Sequence, residues 1–134
     1  MTVTKDQIAN LLNEYKTDKL VAINVLGMQL ESNLGLAGGH FWVGNGVRFG
    51  EMRQCDLWRF SDDFSCAWDV LEFLSQKYEC STAVGREYPF NRGVYVARMV
   101  GGRYQYNNPE LKLYALAETA PLAICRLALL TVAK

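Results

Sequence analysis

Near its carboxyl end the chain reads Glu118-Thr119-Ala120-Pro121-Leu122-Ala123-Ile124-Cys125-Arg126-Leu127-Ala128-Leu129-Leu130, a helix start followed by a nearly all-apolar run. Thr119 can accept a hydrogen bond from a free backbone N–H, and Pro121 fits the first turn, where its missing N–H is not needed. Beyond Leu122 the only charges are Arg126 and Lys134, so apolar side chains cover almost the whole circumference. The pattern predicts a helix that starts near residue 120 and is buried between a sheet and either another helix or a second subunit.

Length and charge limit the kind of protein. The 134 residues fit a single domain spanning 1–134, large enough to fold without disulfides or metal. Fourteen basic and fourteen acidic residues cancel, which gives no general attraction to nucleic acid or to an anionic membrane. The amino terminus lacks a basic segment followed by an apolar core, and the apolar terminal run is too short to span a bilayer. We therefore expect a cytoplasmic protein with no membrane association.

The cysteines give no indication of a metal site. Cys55, Cys66, Cys80 and Cys125 contain no Cys-x-x-Cys pair, and His40 is the only histidine that could join them. Zinc sites normally use closely spaced ligand pairs, and free cysteine is often a small core residue. The sequence therefore predicts no metal and no cofactor.

Two segments near the amino terminus have helical patterns. Thr4 and Gln7 form a capping-box pattern ahead of a helix whose apolar residues share one face: Ile8, Leu11, Leu12 and Tyr15. Thr17 is predicted to cap a second helix, residues 18–26, with Gly27 as a left-handed terminator. The amino-terminal region is thus expected to be helical, with a break near Thr17.

The middle of the chain contains the clearest amphipathic helix. Ser61 is predicted to be its cap, with Asp62 and Asp63 placed favourably at the positive end of the helix dipole. Its apolar residues then recur at three- and four-residue spacing: Phe64, Ala67, Trp68, Leu71 and Leu74.

The remaining segments are typical of strands and turns. Short strands are predicted near 41–43 and 47–52, a hairpin at 93–106 turning at Gly101-Gly102, and a further strand at 111–117. In that last strand one side is apolar: Leu111, Leu113, Ala115 and Ala117. The order helix, strands, helix, strands, helix predicts an α+β domain, an antiparallel β-sheet with helices packed on it.

Three segments carry a family resemblance: residues 20–28, 60–72 and 117–129. Together and in this order they resemble the small phage proteins grouped as the phage ABA sandwich domain. The resemblance implies an origin in a phage or prophage and a sheet covered by helices, an α/β/α-type sandwich. It implies no catalytic residues, because the family offers none to carry over.

Arginines and tyrosines alternate in the strand region after Val84, and they form the best candidate binding surface. Arginine beside tyrosine on a sheet can hold phosphates and stack bases. The alternative is a solvated sheet face whose tyrosines pack across strands. The candidate residues are Arg86, Arg92, Tyr95, Arg98, Arg103, Tyr104 and Tyr106.

A second candidate lies in the glycine-rich segment. Gly38, Gly39 and His40 could present backbone N–H groups to a phosphate, although neither a Walker-type nor a dinucleotide-binding glycine motif is present. The alternative is an ordinary turn with a loop histidine, since glycine readily adopts positive φ. No nucleophile or orienting group can be assigned to His40 from the local sequence.

These observations favour binding over catalysis. The first hypothesis is a non-enzymatic phage or prophage protein that inhibits a bacterial defence system, by occupying a host protein complex or by sequestering a nucleotide-type small molecule. The alternative is a nucleic-acid-binding accessory protein of phage replication or regulation that uses the arginine- and tyrosine-rich strands. The apolar terminal helix or a sheet edge could also form a homodimer, against the alternative of complete burial within one domain.

Overall fold

The computed structural model describes residues 3–12, 14–32, 40–43, 53–54, 59–86, 94–102 and 112–133. Its helices are α1 (Lys5–Ala9), α2 (Tyr15–Leu20), α3 (Phe64–Tyr78) and α4 (Ala120–Leu130), and α2 continues into a π-helical turn at Val21–Val25. Its strands are β1 (Gln29–Ser32), β2 (His40–Val43), β3 (Arg53–Gln54), β4 (Cys80–Arg86), β5 (Tyr95–Gly102) and β6 (Lys112–Ala117). They form two antiparallel three-stranded sheets, in the orders β1-β2-β3 and β4-β5-β6. The predicted α+β class is confirmed.

Helix α4 lies at the centre of the core. Thr119 caps it as predicted, because its hydroxyl accepts a hydrogen bond from the Leu122 N–H at 3.4 Å. The helix contacts all three strands of the β4-β5-β6 sheet, and it also contacts α1, α2, α3 and the π-helical turn. The further layer around it is therefore supplied by helices of the same chain. Residues around its whole circumference are buried: Leu122, Ala123, Ile124, Cys125, Leu127, Ala128 and Leu129.

The β4-β5-β6 sheet covers α4 with one of its faces. Ala97 and Met99 of β5 are fully buried, and Ala115 and Ala117 of β6 are buried beside them. The predicted inward face of the last strand is thus confirmed for its described residues. Strand β4 was not predicted, and the Gly101-Gly102 turn was placed wrongly. Gly102 lies within β5, where it is the register partner of Cys80.

Helix α3 differs from its prediction in its cap and in its buried face. The cap is Asp63, whose carboxylate accepts hydrogen bonds from the backbone N–H groups of Ser65 at 2.8 Å and Cys66 at 3.4 Å. The predicted Ser61 cap is wrong, because Ser61 is used in a tertiary contact described below. The buried residues are Ala67, Val70, Leu71 and Leu74.

Phe64 and Trp68 were expected on this buried face, and both are exposed. Their exposed fractions are 47% and 43%. With 3.6 residues per turn, Trp68 lies roughly 100° around the helix from the middle of the buried stripe. Helix α4 and strand β4 cover a narrower sector of α3 than the apolar spacing indicates.

The amino-terminal capping box is confirmed. The Gln7 N–H donates to Thr4 Oγ1 at 3.3 Å, and the Thr4 N–H donates to Gln7 Oε1 at 3.0 Å. The helix ends at Ala9, however, so Ile8 and Leu11 are buried while Leu12 is 57% exposed. Leu12 therefore does not share their buried face.

The second helix begins earlier than predicted. Helix α2 starts at Tyr15 with Glu14 as its cap residue. The prediction that Thr17 is a cap is wrong: Thr17 is buried inside the helix, where its hydroxyl donates to the Leu12 carbonyl at 2.5 Å. Gly27 adopts φ +67°, as expected for a left-handed terminator.

Strand β2 confirms the strand predicted at 41–43. It pairs with β1 on one side, Gln29 opposite Val43, and with β3 on the other, Phe41 opposite Gln54. Strand β1 was not predicted. The strand predicted at 47–52 lies outside the described residues.

Candidate binding face

The face of the β4-β5-β6 sheet that points away from α4 carries exposed side chains. Successive residues of a strand point to opposite faces, so the inward Ala97 and Met99 leave Arg98 and Val100 pointing outward. On β6 the same alternation directs Tyr114 and Leu116 outward. Tyr114 is 64% exposed and Val100 is 48% exposed. We call this surface the outer sheet face. Its exposed residues are Ser81, Ala83, Arg98, Val100, Tyr114 and Leu116, whereas Val96, which the same alternation places on this face, is buried.

Strand register places Arg98 in the middle of the outer sheet face. Its partner on β6 is Tyr114 and its partner on β4 is Ala83. Directly opposed residues of antiparallel strands have Cβ atoms about 5 Å apart, so the side chains of Arg98 and Tyr114 leave the sheet from neighbouring positions. Because Ala83 and Ser81 are small, the side chains on β4 project less far from the sheet than Tyr114 does. The outer sheet face thus combines a cation, an aromatic ring and aliphatic groups on a shallow surface.

The candidate residues from the sequence do not form one cluster. Arg86 lies opposite Tyr95 in the register, and its guanidinium carbon stands 5.8 Å from the centre of the Tyr95 ring. Tyr95 shares the face of Ala97 and Met99 and packs partly buried against the core. Arg86 and Tyr95 therefore belong to the helix-covered face of the sheet, while Arg98 belongs to the outer sheet face.

The other predicted site residues are not brought to this face by the described structure. His40 begins β2 in the other sheet, where its register partner is Ser32. The rest lie outside the described residues: Gly38, Gly39, Arg92, Arg103, Tyr104 and Tyr106. Their roles stay predictions.

Tyr114 and Leu116 were missing from the residues proposed on sequence grounds. The signal was present, because an inward set of Leu113, Ala115 and Ala117 requires the two residues between them to point outward. The sequence prediction used the density of arginine and tyrosine between Val84 and Lys112 and did not use strand alternation. It therefore omitted Tyr114, the most exposed of the described tyrosines.

A buried polar contact joins α2 to the segment before α3. Asp18 is 5% exposed and Ser61 is 1% exposed, and the Ser61 N–H donates to Asp18 Oδ1 at 2.7 Å. Burial raises the pKa of the Asp18 carboxyl, while the hydrogen bonds from Ser61 and the positive charge of Arg59 oppose that shift. The Ser61 hydroxyl also donates to the Glu14 carbonyl at 3.4 Å. This contact anchors the start of α3.

Burial lowers the reactivity of the described cysteine thiols, Cys66, Cys80 and Cys125. Burial raises the pKa of Cys125 well above its usual value, and the nearby Asp18 carboxylate raises it further. Burial also raises the pKa of Cys66 and Cys80. Since the thiolate is the nucleophile, these side chains are protonated, poorly reactive core groups at neutral pH.

A cleft of about 360 Å³ lies between α1 and α2. Apolar and polar side chains line it together, and none of the site residues predicted from the sequence is among them. The lining residues are Val3, Gln7, Asn10, Leu11, Glu14, Lys16 and Leu20.

The described part of the chain contains neither a cluster of metal ligands nor a helix that could span a membrane. No group of three or more histidine, cysteine, aspartate or glutamate side chains is placed there to hold a metal ion. Over the same residues, every helix is too short or too polar to cross a lipid bilayer.

The architecture defines a class of protein: an α+β domain in which helices pack on an antiparallel sheet around a central apolar helix. The family model of the phage ABA sandwich domain matches residues 19–129. The chain therefore belongs to the phage ABA sandwich domain family, which makes it a small phage-type protein. Neither the search of curated proteins nor the search of solved structures returned a match.

Proposed function

We propose that this phage protein acts by binding, without catalysis, and that it inhibits a bacterial defence system by occupying a host protein in the bacterial cytoplasm. The observation that supports this most is the outer sheet face. Tyr114, Val100 and Leu116 are exposed there beside Arg98, although the opposite face of the same strands is buried. Exposed apolar and aromatic groups with an arginine among them are typical of the centres of protein interfaces.

The composition of the outer sheet face favours a protein partner over a nucleic acid. Binding to nucleic acid draws its affinity from several cations that neutralise phosphates. On this face the described strands place Arg98 and, at the start of β6, Lys112 as the register partner of Val100, whereas Arg86 points to the other face. A sequestered nucleotide would also need an enclosing pocket, whereas this face is shallow.

Membership of a phage family supports the anti-defence role, because a phage protein is expected to be made inside an infected or lysogenic bacterium. A binding protein can block a host complex from a compact scaffold, because occupation needs surface complementarity and no reacting groups. The protonated thiols and the enclosed Asp18 carboxyl fit such a scaffold better than an active site.

The test combines binding with infection. The full chain is expressed in a bacterium that carries a defence system, and plaque formation by a sensitive phage is counted. The wild-type protein should restore plaques and should retain the host target in a pull-down. An Arg98→Glu, Tyr114→Ser double variant should lose both effects.

The matched control is Arg86→Glu, the same charge reversal on the opposite face of the same sheet. It should behave as the wild type in both assays. Full activity of the double variant would contradict the outer sheet face as the binding site. A mobility shift with single-stranded DNA or RNA that weakens as salt rises would instead favour the nucleic-acid-binding role.

A further inference from the structure

The charges on the outer sheet face have one sign. Within the described parts of β4, β5 and β6, no position on this face carries a carboxylate, whereas Arg98 and Lys112 are basic. The acidic residues nearest to these strands in the sequence lie outside them. Glu79 is the C-cap of α3, and Glu118 follows β6. Since the whole protein has fourteen basic and fourteen acidic residues, the positive sign belongs to this face and not to the molecule.

The charge of Arg98 is free to meet a partner. Its side chain is exposed, and it makes no hydrogen bond or ion pair with any residue that the structure describes. Its register neighbours, Ala83 and Tyr114, carry no charge. A guanidinium without a counterion is complementary to a carboxylate, which can accept two parallel hydrogen bonds from it.

Strand register arranges the outer sheet face in three rows, which follow one another at every second residue, about 7 Å apart. Across β4, β5 and β6 they are Gly85, Val96 and Leu116; Ala83, Arg98 and Tyr114; and Ser81, Val100 and Lys112. The first row is aliphatic. Each of the other two combines one basic residue with an aromatic or aliphatic one. Apolar and positive positions therefore alternate over a short distance.

Strand β4 leaves room for a partner beside Arg98. Its residues in the three rows are small, and a Cβ atom added at Gly85 would meet no atom within 4 Å. On the other side of Arg98, Tyr114 is 64% exposed and projects from β6. A segment lying over β4 would thus reach Arg98 from the side opposite to Tyr114.

We propose that the outer sheet face selects an acidic segment of its protein partner, in which carboxylates and apolar side chains share the side turned towards the sheet. Arg98 receives a carboxylate, and Val100, Tyr114 and Leu116 contact the apolar groups. A basic or neutral segment would cover Arg98 without supplying a counterion, which is costly for a charge removed from water. This inference rests on the proposed function, because it names the chemistry of the partner that the same face occupies.

The probe for the experiment is a fluorescein-labelled synthetic peptide in which leucine and glutamate take every second position in turn, with serine between them. Its binding to the full-length protein is measured by fluorescence anisotropy at low and moderate salt. The wild type should bind it about tenfold or more tightly than a control peptide in which lysine replaces every glutamate. The affinity for the acidic peptide should fall as salt rises.

A charge reversal assigns this preference to Arg98. Arg98→Glu should lose the acidic peptide and should prefer the lysine peptide, a reversal that unfolding cannot produce. Arg86→Glu changes the net charge by the same amount on the opposite face, and it should keep the wild-type preference. Tyr114→Ser should weaken the binding of the acidic peptide and leave the preference for it unchanged, because it removes an apolar contact alone.

Four results would overturn the inference. They are no binding of the acidic peptide by the wild type, equal affinity for the two peptides, an unchanged preference in Arg98→Glu, and the same reversal in Arg86→Glu. A single-stranded oligodeoxythymidine that binds more tightly than the acidic peptide, and is lost in Arg98→Glu, would assign the face to nucleic acid and exclude an acidic protein segment.

The inference and the proposed function fail separately. If the wild type restores plaques through the outer sheet face but shows no preference for the acidic peptide, the inference is wrong and the proposed function stands. If the preference is present and depends on Arg98 but plaques are not restored, the proposed function is wrong and the selectivity of the face stands.

Discussion

The two faces of the β4-β5-β6 sheet are built from the same strands and have opposite surroundings. On the inward face Ala97 and Met99 are fully buried against helices, and on the outer sheet face Val100 and Tyr114 are about half or more exposed. Apolar residues on the inward face stabilise the fold. The exposed apolar residues of the outer sheet face, Val100, Tyr114 and Leu116, contribute less to stability, which leaves them available for recognition. The comparison therefore separates residues that stabilise the protein from residues that could bind a partner, and substitutions can test the separation.

The largest effect is expected in α4, against which the inward face packs. Leu127→Ala removes a fully buried side chain, and the resulting cavity should lower the free energy of unfolding by about 2–5 kcal/mol. Urea denaturation followed by circular dichroism measures the change. Leu12→Ala is the matched control, because Leu12 is 57% exposed and the same substitution there should cost about 0.5 kcal/mol or less. Equal losses at the two positions would contradict the central place of α4.

An intermediate effect is expected for the buried carboxyl on the helical side of the core. Asp18→Ala leaves the buried Ser61 N–H without its acceptor, which should lower the free energy of unfolding by about 1–3 kcal/mol. Asp18→Asn keeps an acceptor oxygen in the same place and should avoid most of that loss. The same urea titrations compare the two variants.

The raised pKa of Asp18 predicts the direction in which the stability of the wild type changes with pH relative to Asp18→Asn. Burial raises the pKa of the carboxyl in the folded state above its usual 3.8, so the folded protein binds the proton more tightly than the unfolded chain. The stability that protonated Asp18 contributes is complete below that value and is lost as pH rises through the folded-state pKa. Wild type should therefore lose stability relative to Asp18→Asn as pH rises across this interval. A constant difference between the two proteins would show that Asp18 is not perturbed by burial.

The smallest effect on stability is expected on the outer sheet face. Val100→Thr keeps a β-branched side chain at a half-exposed position, and it should change the free energy of unfolding by about 0.5 kcal/mol or less. Met99→Thr, at the neighbouring residue of the same strand, introduces a hydroxyl and a cavity into the core and should cost several times more. Thermal unfolding of the pair measures the contrast. Similar losses would show that the outer sheet face is covered in the folded protein.

Features set by local chemistry were predictable from the sequence. The Thr4 capping box, the Thr119 cap and the positive φ of Gly27 each depend on residues within a few positions of one another. The burial of α4 was also predictable, because a helix that is apolar on all sides has to be covered on all sides.

Features that depend on tertiary contacts were not predictable from the sequence. Ser61 and Asp63 are equally good helix caps, and the choice between them depends on a hydrogen bond from Ser61 to Asp18, which is 43 residues away. Which side of α3 is buried depends on where α4 and β4 pack against it. The spacing of Phe64 and Trp68 along the sequence gives no information about those positions.

The candidate binding face was also only partly predictable from the sequence, because it too depends on tertiary structure. Density of arginine and tyrosine along the chain directed the prediction to the strands that form this sheet, but strand register decides which side chains share a face. Arg86 and Arg98 lie on opposite faces for this reason. Tyr114, the register partner of Arg98, could have been found from the alternation on β6 once the inward set of that strand was known.

The side chain of Arg126 in α4 has a consequence for the making of this protein on the ribosome. Its guanidinium donates to the Leu116 carbonyl at 2.8 Å and to the Leu11 carbonyl at 2.5 Å, and Leu11 precedes it by 115 residues. The first helices and the sheet thus obtain their common support only when the segment beginning at Ala120 has been translated. Earlier nascent chains expose the apolar surfaces that α4 later fills, and such surfaces are prone to aggregate. Folding of this domain is therefore expected to wait until α4 has been synthesised, and a stop codon before Ala120 should yield an insoluble product.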